Sequence, residues 1–211
     1  MKKVRILGIG VATLDIYVNQ GRMYPGGNEY NVACNAASLG AEAGFLGVFA
    51  KNPAGERLEQ TLKERDVCLT MCRHEEGSCG YSLVELKEDG DRVFLDWNQD
   101  GVTERYPIEF TKEELDYIQS YQAVSVGRCA SVALEKIRKM KEHGIDVCYD
   151  FHEIYTEEDI REIASLLRYA FFSCSHLTEE EIRHNLKAAV EQGAGIARGT
   201  RGPLSVFAYD G

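Results

Sequence analysis

Apolar residues dominate positions 4–9, and Gly8 and Gly10 close the run, a pattern that predicts a short buried first strand. Residues 14–18 read as a second, partly exposed strand. Gly26-Gly27 opens a helix that runs to Leu39 and stops at Gly40, a residue suited to the left-handed position after a helix. Residues 44–49 read as a strand. The next helix starts near Pro53, where a missing N–H costs least, and ends near Arg65.

The pattern then changes. Residues 81–87 alternate, with Leu83, Glu85 and Lys87 on one face and Ser82, Val84 and Leu86 on the other. Asp89-Gly90 is a hairpin turn signal, and Val93, Leu95 and Trp97 are expected to share a face of the returning strand. Alternation of helix and strand resumes beyond it. Thr111 with Glu114, Thr156 with Asp159 and Thr178 with Glu181 each have capping-box spacing at a helix start. Strands are expected at 123–126, 146–149, 170–173, from Ile196 and at 205–209, and helices at 132–143, 156–167 and 178–192.

Strands separated by such helices form βαβ units. The predicted class is therefore α/β: a mainly parallel sheet with helices on both faces, plus a small antiparallel β lid drawn from about 12–20 and 79–105. The 211 residues read as one domain, incomplete at its C-terminus, because Asp210-Gly211 is a turn signal and a boundary rarely falls there.

The net charge of −10 argues against a nucleic-acid surface, which needs clustered cations. Apolar runs are too short to span a bilayer, and the start Met1-Lys2-Lys3 leads straight into a strand without a secretory cleavage pattern, so a cytoplasmic protein is expected. Seven scattered cysteines without a C-x-x-C pair read as free thiols. The five histidines (His74, His143, His152, His176, His184) show no metal spacing, and no metal ligand is assigned; His152, two residues after Asp150, reads as a surface or core histidine or one near a nucleotide edge of the sheet.

The most informative stretch is Gly26-Gly27-Asn28-Glu29-Tyr30-Asn31-Val32-Ala33-Cys34-Asn35. Glycines at a helix N-terminus let backbone approach a ligand. Asn28, Asn31 and Asn35 fall on one helical face. An amide offers both donors and an acceptor, so this row suits a polyol, and Asp15 adds a carboxylate able to accept from two hydroxyls. On residues alone, a helix with a solvated polar face remains the alternative.

This stretch resembles the first signature of the PfkB, or ribokinase-like, carbohydrate kinases, and its Asn28 variant is most similar to the fructoselysine and fructosamine 6-kinases of that family. The resemblance spans the chain. It implies ATP and Mg2+ as cofactors, a sugar or fructosamine as substrate, and transfer of the γ-phosphoryl group to a sugar hydroxyl, O6 in a fructosamine. It implies substrate contacts from Asp15, Gly26, Gly27, Asn28 and Asn31. The ribbon with Asp91, Arg92 and Asp96 resembles the family's lid, which closes over the sugar and often clasps a second subunit as a homodimer; Arg92 and Asp96, with Glu85, would face the charged tail of a fructosamine. Ser175 and Glu179 stand where many members have an Asn-x-x-Glu motif that orders magnesium and phosphate, although the Asn is absent here and a solvated capping region is the alternative, and Gly199 and Gly202 resemble the family's nucleotide-proximal strand and loop. Val11 replaces an Asp of the fructosamine kinases, and Ala197 a Thr. The family's second signature, Asp-Thr-x-Gly-Ala-Gly-Asp, which carries the anion hole and the general base, does not occur in these residues, so the 211-residue chain is expected to be inactive alone.

Competing readings are a ribokinase, fructokinase or nucleoside kinase of the same family, or a non-catalytic sugar-binding relative. A dinucleotide-dependent oxidoreductase is disfavoured, because Gly8-Ile9-Gly10 lacks the third glycine and a following helix.

Overall fold

A computed structural model describes residues 3–88, 90, 92–130 and 132–211. In chain order the strands are β1 (Arg5–Ile9), β2 (Thr13–Tyr17), β3 (Arg22–Gly26), β4 (Glu42–Leu46), β5 (Val48–Ala50), β6 (Arg73–Glu75), β7 (Gly80–Leu86), β8 (Arg92–Trp97), β9 (Ala123–Gly127), β10 (Asp146–Asp150), β11 (Tyr169–Ser173), β12 (Ile196–Thr200) and β13 (Phe207–Tyr209). The helices are α1 (Asn28–Ser38), α2 (Pro53–Lys63), α3 (Val102–Arg105), α4 (Lys112–Gln119), α5 (Leu134–Glu142), α6 (Glu157–Ile163) and α7 (Glu179–Glu191).

The main sheet has the order β13-β12-β11-β10-β9-β1-β4, parallel except for the edge strand β13. Strand β1 shows why both faces are covered. Leu7 and Ile9 enter the core beneath β9–β12, which includes Ile118 and Phe172, whereas Ile6 belongs to the cluster around α1 and α2. Gly8 faces α1 so closely that a Cβ there would lie 2.2 Å from the Glu29 carbonyl oxygen. A parallel strand flanked on both faces needs apolar residues at successive positions, which is the run seen in the sequence.

All three capping boxes form, at Thr111, Thr156 and Thr178. Asn52 caps α2, accepting from the Gly55 N–H at 3.0 Å, with Pro53 in the first turn. Gly40 ends α1 at φ 90°.

Several elements differ from expectation. The strand expected over 44–49 is two strands, because the chain bends at Gly47 from the main sheet to pair β5 with β6. The lid is a four-stranded sheet, β3-β2-β7-β8, and its central pair β2–β7 is parallel. At one end of this sheet, β3 is an edge strand that tolerates Pro25. In β8 one extra residue, Leu95, is inserted: Val84 pairs with Phe94 but Leu83 pairs with Asp96. This bulge breaks the shared face expected for Val93, Leu95 and Trp97, and moves Trp97 to the side of Phe94. Of the turn and lid residues singled out in the sequence, Asp89 and Asp91 lie outside the described residues, as do Met1 and Lys2. Among the described residues, no helix is long and apolar enough to cross a membrane.

Candidate active site

Strand β1 lies between β4, reached first along the chain, and β9, reached later on its other side. Such a reversal of strand order leaves a crevice at the carboxyl ends of the strands, where ligands of open α/β sheets bind. Gly10 follows β1 and Gly127 ends β9 at these carboxyl ends.

The N-terminus of α1 is aimed there. Gly27, with φ 106°, packs on the Val11 carbonyl oxygen, which a Cβ would approach to 2.3 Å. Gly26 receives Asp15: a Cβ at Gly26 would lie 2.6 Å from the carboxylate carbon. Asp15, Gly26 and Gly27 are thus brought together. Burial raises the Asp15 pKa, and Arg92 opposes that rise.

Residues paired across strands share a face. The pairings Asp15–Tyr24, Asp15–Ser82 and Ser82–Trp97 place Tyr24, Asp15, Ser82 and Trp97 in one row on the lid. The adjoining row holds Tyr17, Val84 and Phe94, and Tyr17 meets Tyr24 edge to face at 5.6 Å. The Arg92 guanidinium stands 5.8 Å from the Phe94 ring centre, on the same face. Asp96 is a correction: its pairing with Leu83 puts it on the opposite face, with Leu14 and Ile16, away from Asp15. The bulge at Leu95 is the cause.

The amide row divides. Asn31 and Asn35 are exposed on α1, whereas Asn28 is partly buried and donates from Nδ2 to Asp150 Oδ2 at 3.0 Å. The other oxygen of Asp150 accepts the His152 backbone N–H at 2.8 Å, and His152 has φ 62°.

Glu29, between the asparagines in a polar helix start, is 0 % exposed. Its Oε2 accepts the Val11 N–H at 3.4 Å, and Oε1 has no hydrogen-bond partner among the described residues. Burial pushes its pKa up to about 7, with Asp150 adding to the rise and the nearby His152 opposing it. The His152 pKa is raised to about 9, first by its hydrogen bond with Cys129, and also by Asp150 and Glu29, against burial. The sequence signal for this cluster is the trio Gly10, Gly127 and Glu29: a Cβ at Gly10 would meet Glu29 Oε2 at 2.6 Å, and one at Gly127 would meet Oε1 at 2.8 Å.

A second group lies at the carboxyl ends of β11 and β12. A Cβ at Gly202 would lie 3.8 Å from Ser175 Oγ, and Arg201 pairs with Glu179 at 3.5 Å. Ser175, Glu179 and Gly202 are therefore neighbours, joined by Arg201, whose Nε is buried without a partner among the described residues. Gly199 differs. It faces α7, where a Cβ would meet Cys174 Sγ at 3.1 Å and Ile182 Cγ2 at 3.2 Å, so its smallness serves helix packing.

A model of the pfkB family carbohydrate kinases matches residues 7–203. Fructosamine kinase FrlD of Bacillus subtilis is 30% identical over 199 residues, covering 94% of this chain and 69% of that protein. Fructoselysine 6-kinase of Escherichia coli is 28% identical over 205 residues, covering 96% and 76%. In fold, the chain is similar to Arabidopsis thaliana ribokinase complexed with ribose and ATP, at TM-score 0.80 and 18% identity, covering 100% of this chain and 75% of that one. It is also similar to aminoimidazole riboside kinase from Salmonella enterica complexed with aminoimidazole riboside and an ATP analog, at TM-score 0.73 and 19% identity, covering 97% and 73%.

Proposed function

The chain belongs to the pfkB family of carbohydrate kinases, and from that premise we propose that it serves ATP-dependent phosphorylation of a fructosamine such as fructoselysine at the 6-hydroxyl. The observation that carries the reading is the Asp15 carboxylate seated on Gly26 beside the N-terminus of α1. Asp15 accepts from two sugar hydroxyls, Gly27 admits the sugar close to backbone, and Asn28 and Asn31 hold further hydroxyls. The aromatic lid face, Tyr17, Tyr24, Phe94 and Trp97, covers the sugar and keeps water from competing for the phosphoryl group. Arg92 meets the carboxylate of the amino-acid tail.

ATP, when bound, supplies the phosphoryl group, with Mg2+ as its counter-ion. The donors around Ser175, Arg201 and Gly202 fit a phosphate, since the buried Arg201 Nε lacks an acceptor among the described residues, and Glu179 would be the carboxylate nearest to hold the cation there. No residue of this chain is proposed as general base. The 211 residues act as one ribokinase-like unit with the four-stranded sheet as lid, and the exposed Met23 and Leu95 suit a homodimer clasp. Seven unpaired cysteines favour a reducing cytoplasm.

Calorimetric titration of the chain with fructoselysine, fructose, ribose and adenosine tests the substrate. Preference for fructoselysine supports the reading; preference for ribose or adenosine replaces it with another kinase of the family. Phosphorylation is tested on the protein expressed from its gene, with ATP and Mg2+, by locating the new phosphate ester. An ester at any carbon other than C6 sinks the assignment.

A further inference from the structure

The hydrogen bonds around Asn28 contain more than a contact. A free asparagine amide can turn either end toward a ligand, offering a donor or an acceptor. Here the choice is made by what lies behind it. Nδ2 donates to Asp150 Oδ2 at 3.0 Å. The Glu29 carboxyl lies on the same side: a Cβ placed on Gly127 would be 3.1 Å from Asn28 Nδ2 and 2.8 Å from Glu29 Oε1. Turning the amide over would set Oδ1 against the Asp150 oxygen, acceptor against acceptor, with a second carboxyl close by. Asp150 is itself held, because its other oxygen accepts the His152 N–H at 2.8 Å, from a residue whose φ of 62° turns the chain back toward it.

We propose that Asp150 is a positioning residue that locks the Asn28 amide with Oδ1 outward, so that the site reads a hydrogen-bond donor, a hydroxyl or protonated amine of the substrate, at that point. The inference rests on the sugar-binding reading above. It explains why a carboxylate at the end of β10 is tied to the first residue of α1, 122 positions away in sequence. It also gives the amide row a direction: Asn28 turns its acceptor oxygen outward, whereas Asn31, exposed, can turn either end.

The test uses Asp150→Asn and the exchange variant Asn28→Asp/Asp150→Asn. In Asp150→Asn the remaining oxygen keeps the His152 N–H, so the new NH2 faces Asn28 and favours the amide turned over, with Nδ2 rather than Oδ1 outward. In the exchange variant the amide introduced at position 150 donates to the carboxylate introduced at position 28. The second oxygen of that carboxylate again faces the ligand as an acceptor. Affinity for fructoselysine, fructose and ribose is measured by calorimetry, thermal unfolding is followed alongside, and the Asn28 side-chain NH2 signal is followed by 15N NMR. We expect Asp150→Asn to weaken the preferred sugar about tenfold or more and to shift the Asn28 NH2 signal. The exchange variant is expected to regain most of that affinity. A merely structural role predicts lower unfolding temperature at unchanged affinity of the folded fraction, and that result overturns the inference while leaving the sugar reading intact. Failure of a folded exchange variant to recover affinity does the same. If the parent chain binds none of the three sugars, the function reading falls, and the positioning role falls with it.

Discussion

The carboxylate of Asp15 rests on Gly26, where a methyl group would come within 2.6 Å of its carbon. The two residues belong to antiparallel neighbours in the lid, so the edge strand β3 is what fixes the position of the acid proposed to hold the sugar.

Gly26→Ala therefore separates binding from stability. The alanine pushes Asp15 out of place, and sugar affinity is expected to fall about tenfold, the effect of a displaced charged hydrogen-bond group. Gly26 sits at the end of an edge strand, so thermal unfolding is expected to shift only slightly. Calorimetry and a melting curve on the same sample check both halves.

Asp15→Asn gives the complementary result. Burial raises the pKa of the Asp15 carboxyl, so its ionised form is held at a cost to the fold that appears as pH rises through that raised pKa. At neutral pH the asparagine variant should be at least as stable as the parent while binding sugar more weakly. The parent's affinity should decline as acid protonates Asp15, and the variant's should not. Titrations across the acid range distinguish the two.

Glu29 predicts a pH-dependent stability of known sign. Its native pKa of about 7 lies above the ordinary 4.5, so the fold favours the protonated acid. The stabilisation is complete below about 4.5 and is lost as pH rises to about 7, amounting to about 3 kcal/mol. Glu29→Gln keeps a carbonyl oxygen for the Val11 N–H and cannot ionise. Urea unfolding at several pH values should show the parent losing stability against this variant across that window; parallel curves would refute the assignment.

Two glycines near α1 should respond in opposite order to their backbone angles. Gly40, at φ 90°, has open space where a Cβ would go, so Gly40→Ala should cost only the left-handed penalty of about 1 kcal/mol. Gly8 is not in that region, yet its Cβ would strike the Glu29 carbonyl at 2.2 Å. Gly8→Ala should cost about 3 kcal/mol, because backbone cannot step aside as a side chain can. Denaturant midpoints rank the pair.

The sequence is readable where structure is local. The capping boxes at Thr111, Thr156 and Thr178 need only residues three apart, and the apolar runs of β1 and β9 report burial on two faces. The motif at Gly26-Gly27 and Asp15 is also readable, since glycines free of Cβ atoms mark close approach. What stays hidden depends on distant partners. Strand β3 contains Arg22, Pro25 and Gly26, and only its pairing with β2 makes it a strand. Asp96 reads as a lid residue facing the sugar until the extra residue at Leu95 reverses its side. Glu29 does not stand out in the sequence, because a charged residue in a first helical turn is usually solvated; the space that buries it is made by Gly10 and Gly127, both distant from it along the chain.

The inserted residue in β8 also has an optical consequence. It rotates the sole indole of the chain, 58 % exposed, into the row that contains Asp15. Emission from Trp97 should consequently shift to shorter wavelength when a sugar arrives beneath it, giving the molecule an intrinsic gauge of its own occupancy without any attached dye.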